Sequence, residues 1–419
     1  MTLNLADPAS NVRDEIASAS GMPELLEKIW FHKTASAVID ADRCVGCGGC
    51  IAACPSRSIG VAEDGRPTLV KMCTGCSACW DYCPLAGFRV ERLTELLSQE
   101  ATPQSLTDVS DPRESPLLGR IRAAYSARAA RRAKGAQDGG AVTALLSSLM
   151  ETGEIDGAVL TKKLDAFHSE SFLAISVEDI YSAAGSVYHQ SHPLAVLNRP
   201  LPTGMSRIAF VGTPCQINVL RMLQRFPWQY RRTTANNVVL TVALFCTRSF
   251  NPDKLEYAVA KCGVDTNQVS RIDIRDGNLT VHGLSGEGIL KRPVNEFARA
   301  GLVGCDECFD FSGINADLAV GNVGSELGSS TILVRSDAGQ KAITLAGSSL
   351  YLRPVDDLAP VAKLAEYDRR RAEKTSPRGI DSHSSLWNTY SQHLINYSGT
   401  SRAPKAPPTY RSYHYDVSC

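Results

Sequence analysis

The chain has 419 residues with 44 basic and 44 acidic side chains, so its formal net charge is zero. That length leaves room for two or three domains, and that balance excludes a bulk attraction to nucleic acid or to an anionic membrane. Fourteen cysteines in so long a chain are not the disulfide framework of a small secreted domain, and their spacing implies a reducing compartment. The N-terminus, MTLNLADPASNVRDE, has no basic stretch followed by an apolar core, which predicts no signal peptide. The longest nearly apolar runs, such as Val238–Phe245, fall far short of the ~20 residues of a membrane helix. The expectation is a soluble, cytoplasmic protein without a membrane span. No Ser/His/Asp set, phosphate-binding loop of the Walker type or nucleic-acid-binding module is present.

Residues 1–38 read as an N-terminal arm, with a short helix over Met22–Phe31, packing on the main domain. Residues 39–93 hold two matched cysteine runs: Cys44-x2-Cys47-x2-Cys50-x3-Cys54-Pro55 and Cys73-x2-Cys76-x2-Cys79-x3-Cys83-Pro84. This is the bacterial dicluster ferredoxin spacing, in which three cysteines of one run and the last of the other hold each four-iron cube. It assigns Cys44, Cys47, Cys50 and Cys83 to one 4Fe-4S cluster, and Cys73, Cys76, Cys79 and Cys54 to a second. Zinc knuckles are the alternative, but they rarely double the spacing in this way. Short helical turns are expected over Ile51–Ala53 and Trp80–Tyr82. Residues 94–118, rich in Ser, Thr, Pro and Asp, read as a linker.

Residues 119–355 read as a larger mixed α/β domain, so the whole is a mixed α+β and α/β chain. The basic run Arg120, Arg122, Arg128, Arg131, Arg132 and Lys134 reads as a solvated helix face. A docking strip for an anionic coenzyme tail or an acidic ferredoxin is the alternative. A helix is expected over Gly140–Glu151 and a strand over Asp156–Leu160. The strand Arg207–Val211 runs into Gly212-Thr213-Pro214-Cys215, and a helix follows from Ile217 to about Arg225. Val238–Phe245, Ala316–Val320 and Ile332–Val334 read as strands, and Pro252–Lys261 as a helix. His189 and His192 are candidate proton donors or substrate contacts, with no acidic partner in the local sequence. Residues 356–419 form a C-terminal extension, rich in Ser, Pro, Arg and Tyr from about residue 376, that wraps the surface or awaits a partner.

Six cysteines remain. Cys215 and Cys246 each end a predicted strand, and Cys305-x2-Cys308 is a ligand-type pair. Together they supply the four thiolates of a third cubane, although a buried cysteine is often only a small hydrophobe. Cys262 and Cys419 read as structural. Asp138-Gly139-Gly140 before a helix can present amides to an anion, but is as readily a plain turn. Gly185-Ser186 is as readily a helix C-cap.

Taken together, an ordered series of segments is similar to a known family. The segments are Gln137-Asp138-Gly139-Gly140-Ala141-Val142-Thr143, Gly185-Ser186-Val187-Tyr188, Val211-Gly212-Thr213-Pro214-Cys215-Gln216, Phe245-Cys246, Gly304-Cys305-x2-Cys308-x-Asp310-Phe311 and Ala316-Asp317-Leu318-Ala319-Val320-Gly321. They resemble the family of coenzyme F420 hydrogenase/dehydrogenase beta subunits over roughly residues 119–350. Several members carry an N-terminal dicluster extension. The resemblance implies FAD in the main domain and a 4Fe-4S cluster on Cys215, Cys246, Cys305 and Cys308. It implies flavin contacts from Gln137, Asp138, Gly139, Gly140, Thr143, Gly185, Ser186, Tyr188, Gly212 and Thr213. Where members often carry Gly-Asp-Val-Gly, this chain has Gly321-Asn322-Val323-Gly324, which bears on the substrate more than on the fold.

These parts compose a redox path. Iron–sulfur clusters pass single electrons, deazaflavins and nicotinamides pass hydride, and a flavin converts between the two. The expected function is an oxidoreductase subunit with FAD and three 4Fe-4S clusters. It would exchange electrons between coenzyme F420 and a redox partner protein or hydrogenase, dehydrogenase or reductase subunit. One alternative is a ferredoxin-dependent reductase of an organic substrate such as a chlorophyllide vinyl group. Another is a non-catalytic electron relay. The ferredoxin segment and the flavin domain read as separable modules.

Overall fold

The computed structural model describes residues 28–100, 114–115, 117–227 and 233–406. Most of the predicted arm, most of the linker and Cys419 lie outside the described residues. So does most of the helix expected over Met22–Phe31, and residues 28–30 carry no helix. Helix α1 (Phe31–Thr34) begins at Phe31 and continues as a π-helical turn, Ala35–Ile39. Phe31, Ala35 and Ile39 bury their side chains against Ile51, Ile59 and Leu69. This part of the arm therefore belongs to the ferredoxin unit, not to the main domain.

Within that unit, α2 (Gly49–Ala53) and α3 (Ala78–Asp81) fill the two Cys-x3-Cys gaps. An antiparallel hairpin of β1 (Ile59–Val61) and β2 (Pro67–Leu69) lies between them. Helix α4 (Val90–Glu100) then occupies the start of the predicted linker. Its apolar residues Val90, Leu93, Leu96 and Leu97 recur at helical spacing and enter the main core. That stripe outweighs the polar composition that follows it.

The main domain is an eight-stranded mixed sheet. Its strands are β3 (Ala123–Ala129), β4 (Gly157–Lys163), β5 (Ser169–Ala174), β6 (Ile208–Gly212), β7 (Val238–Leu244), and three later ones. Between β7 and those three, β8 (Val269–Arg275), β9 (Asn278–Gly283) and β10 (Gly288–Pro293) form a separate antiparallel sheet that the sequence reading did not include, although Asp276-Gly277 between alternating apolar residues is a hairpin signal. The later strands are β11 (Leu318–Gly321), β12 (Ser330–Val334) and β13 (Leu350–Pro354), and the order across the main sheet is β13-β3-β12-β11-β7-β6-β4-β5. The four strands β11, β7, β6 and β4 are parallel, and the flanking pairs are antiparallel.

Strand β3 corrects the reading of the basic run as a helix face. Its small residues pair with β12 and β13, Ala127 is fully buried, and Arg128 points outward between buried neighbours. Ladder pairing on both edges, not the charge pattern, decides the element.

Helices cover both faces. Helices α5 (Ala141–Glu151) and α9 (Asp337–Ala346) pack one face through Leu145, Leu146, Leu149, Ala342 and Ile343. Between them in sequence come α6 (Val177–Ser182), α7 (Pro214–Arg225) and α8 (Pro252–Lys261). On the other face α7 packs together with α10 (Ala359–Thr375) and with Ala52, Ala53, Phe88 and Leu93 of the ferredoxin unit. Large apolar side chains buried this way contribute about 1.5–3 kcal/mol each, so the two units share one core.

The C-terminal segment completes that union. Trp80 Nε1 donates to the Asn388 carbonyl at 2.8 Å, and Asn388 N donates to the Gly87 carbonyl at 2.8 Å. Helix α11 (Tyr390–Tyr397) buries His393 and Tyr397 completely. The extension is thus a clasp built into the interior. Among the described residues no helix is long and apolar enough to cross a membrane.

Candidate functional site

The two cysteine runs adopt the same local geometry for a reason legible in the backbone. Gly46 and Gly48 have φ of 63° and 79°, and the equivalent Gly75 and Ser77 have 67° and 65°. Left-handed residues at matched positions coil each loop so that its amides face sulfur. Gly49 N lies 3.4 Å from Cys47 Sγ, Gly75 N 3.4 Å from Cys73 Sγ, and Ser58 N 3.2 Å from Cys54 Sγ. Ser77, the non-glycine among the four, is held by its hydroxyl, which accepts Ile29 N at 2.9 Å.

The cysteines fall into three neighbourhoods. Burial pushes the Cys44 thiol up to about 12, and the adjacent Cys83 and Cys215 add to the shift. Burial likewise raises Cys47, beside Cys215, Cys83 and Cys44, and Cys50, beside Cys44, Cys47, Cys79 and Cys83. Cys76 and Cys79, both raised by burial, lie beside Cys54 and Cys73. Burial pushes Cys215 up to about 12 next to Cys305, and raises Cys246 beside Cys305 and Cys215. Cys308, also raised by burial, lies beside Cys215. The charge of Cys215 acts on Cys44 and Cys47, and that of Cys79 on Cys50, which sets the group of Cys44 between the other two.

Thiols grouped this closely and partly or fully buried ionise only beside a compensating positive centre, which iron would supply and which the inward amides reinforce. The donor sets fit cubanes on this ground. Among the described residues no three His, Cys, Asp or Glu side chains converge as ligands of a single ion would. Cys262 is exposed at the end of α8 and belongs to none of the groups.

A buried ion pair joins two of the groups. Arg43, next to Cys44, meets Glu307, which lies between Cys305 and Cys308, through Nε at 2.8 Å and Nη2 at 2.9 Å. Arg43 also donates to the Ala37 carbonyl (3.0 Å), the Leu85 carbonyl (2.8 Å) and the Tyr397 hydroxyl (2.7 Å). Both side chains are fully buried. Burial alone would raise Glu307, but the Arg43 hydrogen bond and charge outweigh it and hold the carboxyl below the usual range. Gly304 is required here because a Cβ would stand 1.9 Å from the Arg43 carbonyl oxygen.

Beside the third group a cavity of about 570 Å³ opens at the C-terminal ends of the parallel strands, a usual position and size for a ligand site in an α/β sheet. Gln137, Asp138, Gly140, Thr143, Gly185, Ser186, Tyr188, Gly212 and Thr213 all line it, together with Cys246. Gly139 does not. It is a packing glycine, whose Cβ would stand 2.3 Å from the Ala127 carbonyl oxygen. Helix α5 starts at the cavity with Ala141, Val142 and Thr143, and no side chain caps its first amides. They leave a positive pole facing the cavity.

The separate antiparallel sheet roofs this space. Gln137 Oε1 accepts Ser186 N at 2.7 Å while its Nε2 donates to Asp273. The Tyr188 hydroxyl accepts Ile274 N at 3.2 Å, and Asn322 Nδ2 donates to the Ile274 carbonyl at 3.3 Å. Arg275 of β8 pairs with Asp138. Arg248 and Arg371 also line the cavity. Arg248 lacks a local motif, whereas Arg371 ends the basic triplet Arg369-Arg370-Arg371, which by sequence reads as a solvated face or, less readily, a docking strip.

His189 lines the cavity and bonds Ser169 Oγ at 2.8 Å. Burial lowers it to about 4, so it is neutral near pH 7. His192 is also lowered by burial and bonds the Gly65 carbonyl at 2.7 Å, which ties the ferredoxin hairpin to the main domain.

Residues 124–198 and 205–357 match the N-terminal and C-terminal models of the coenzyme F420 hydrogenase/dehydrogenase beta subunit, and residues 36–84 match a 4Fe-4S dicluster domain. The chain is 27% identical to a subunit of the F(420)H(2) dehydrogenase of Methanosarcina mazei, covering 80% of this chain and 91% of that one. It is 29% identical to the coenzyme F420-dependent sulfite reductase of Methanocaldococcus jannaschii over 81% of this chain and 51% of the relative. A chain of the F420-reducing [NiFe] hydrogenase complex from Methanosarcina barkeri superposes with a TM-score of 0.60 at 28% identity, covering 66% of this chain and 99% of that chain.

Proposed function

This chain belongs to the family of coenzyme F420 hydrogenase/dehydrogenase beta subunits, and we propose that it exchanges electrons between a deazaflavin hydride carrier and a partner protein. The observation that carries this reading is the unbroken neighbourhood from the cavity to Cys246, then to Cys215, Cys44 and Cys47, and from Cys50 to Cys79. Three 4Fe-4S clusters would be held by Cys215, Cys246, Cys305 and Cys308, by Cys44, Cys47, Cys50 and Cys83, and by Cys54, Cys73, Cys76 and Cys79.

FAD in the cavity would supply the conversion between hydride and single electrons. The chain's own residues do the rest. The open amides of α5 would hold the anionic part of the cofactor, with the Gly212-Thr213 turn at the start of α7 lining the same space, its Thr213 amide taken by Gln216 Oε1 at 2.7 Å. Gln137, Tyr188 and Asn322 hold β8 as a roof that would orient the ring and exclude water. Neutral His189, fixed by Ser169, offers an uncharged hydrogen-bonding edge rather than a cation. At the other end Cys73 and Cys76 are only partly buried beside exposed Met72, the position for hand-over to a partner subunit.

Anaerobic reconstitution tests the reading. About twelve irons per chain are expected from three cubanes, together with one FAD that bleaches on addition of reduced F420. Cys262→Ser should leave iron unchanged, and Cys305→Ser should remove about one cubane. About eight irons would remove the third cluster. Absence of flavin would leave a bare relay, and turnover of a tetrapyrrole with ferredoxin but not with a hydride carrier would move the assignment to an organic-substrate reductase.

A further inference from the structure

The C-terminal clasp brings a cation to the middle of the relay. Arg378 reaches back 294 positions to donate Nη2 to the Pro84 carbonyl at 2.8 Å, and its Nη1 donates to the Phe88 carbonyl at 3.2 Å. Pro84 follows Cys83 directly, and the Cys83 carbonyl itself anchors this turn through Gly87 N at 3.0 Å. Among the described residues no carboxylate pairs with Arg378. Glu307 feels its charge at a distance but is engaged by Arg43, Tyr397 and Arg402. The Arg378 guanidinium is therefore held by neutral carbonyls, half-buried, with a charge that no contact neutralises beside the Cys83 loop. Arg43 faces the same thiol, and both cations favour its ionised form against the effect of burial. Arg43 differs in being neutralised by Glu307.

We propose that Arg378 is an electrostatic positioning residue for electron transfer, raising the reduction potential of the cluster held by Cys44, Cys47, Cys50 and Cys83. The inference rests on the three-cluster reading above. Adding one electron to a cluster adds one negative charge, and a fixed nearby cation stabilises that state more than the oxidised one. The electron would come from the cluster held by Cys215, Cys246, Cys305 and Cys308, oxidised as the middle one is reduced. It would leave toward the cluster held by Cys54, Cys73, Cys76 and Cys79. The C-terminal segment thereby makes the middle site a favourable stop between the cavity and the outer cluster.

The test is an EPR-monitored redox titration of the full reconstituted chain, with the middle cluster identified by its loss of signal in Cys83→Ser. Arg378→Gln should lower that potential by about 59 mV, a tenfold change in the one-electron equilibrium. The other two clusters should move less, and Arg378→Lys should restore most of the shift. A second variant leaves the anchoring bonds in place. Gly379 has φ of +67° and open space around its Cβ position, a conformation that Asp and Asn tolerate. Gly379→Asp should lower the same potential relative to Gly379→Asn. The proposal is overturned if Arg378→Gln leaves the potential unchanged with three clusters bound, if Lys fails to restore it, or if the Gly379 pair does not differ. Failure to find three clusters in the unaltered chain would instead overturn the reading beneath it.

Discussion

Replacing Arg43 by Met should be among the most damaging single changes in this protein. The substitution removes the fixed partner of Glu307 and strips donors from the Ala37 and Leu85 carbonyls. Breaking a fully buried ion pair by deleting one member destabilises by about 3–5 kcal/mol, because the other charge stays buried. Glu307 retains the Tyr397 hydroxyl at 2.5 Å and Arg402 Nη1 at 3.1 Å. That places the expected loss near the lower end, about 3 kcal/mol, or roughly two orders of magnitude in an equilibrium constant. Unfolding of a multi-cluster protein is irreversible, so the assay is the rate of cluster bleaching in urea under anaerobic conditions. Arg43→Met should accelerate it by up to about that factor. Arg43→Met with Glu307→Gln should recover part of the loss, since the orphaned charge is gone. A single variant as slow to unfold as the parent, or a double variant worse than the sum of the singles, would refute the argument.

Other expectations follow from the same geometry. Gly185→Ala places a Cβ 2.9 Å from both the Gly135 carbonyl oxygen and Lys163 Nζ, at φ +115°. The strain of about 1–3 kcal/mol should empty the flavin site, measured as lost FAD absorbance with iron content retained. For pH dependence, Glu307 is held below its ordinary 4.5, so its contribution is complete above that pH and is lost as pH falls through the lowered value. His189 acts earlier: unfolded imidazole gains a proton near 6.5 while the buried ring resists until about 4. Urea midpoints or bleaching rates should therefore worsen from about pH 6.5 downward, and His189→Phe should flatten the upper part of that slope. Separable modules would let a chain lacking residues 1–93 remain a working flavoprotein. The shared core and the Arg43 joint instead predict a chain that does not fold, measured as loss of soluble product. A soluble truncation that binds FAD would restore the modular view.

Much of this site was legible in the chain. The ferredoxin ligand sets followed from spacing because three thiolates on one loop are a local property, as are the left-handed glycines that shape it. The segments 137–143, 185–188 and 211–216 were recognisable as a series, yet nothing local showed that Gly139 packs against Ala127 instead of facing the cavity. Composition misjudged residues 120–134, where β3 draws its partners from β12 and β13 some 200 residues later. The roof over the cavity escaped notice because β8 and β9 carry only a short alternation of apolar and polar residues around the Asp276-Gly277 turn, and β10 is mostly exposed, so no continuous apolar run marks them. Only the tertiary structure decided the order of the three cysteine groups, since Cys215 is brought near Cys44 and Cys47 by the packing of α7 on the ferredoxin unit. It also decided that Arg43 meets Glu307 across 264 positions and that the C-terminal segment closes over Cys83. A cluster's ligands can be written into a few adjacent residues. The alignment of one cluster with the next depends on which surfaces of a folded chain bury each other, and that is a property of the whole core.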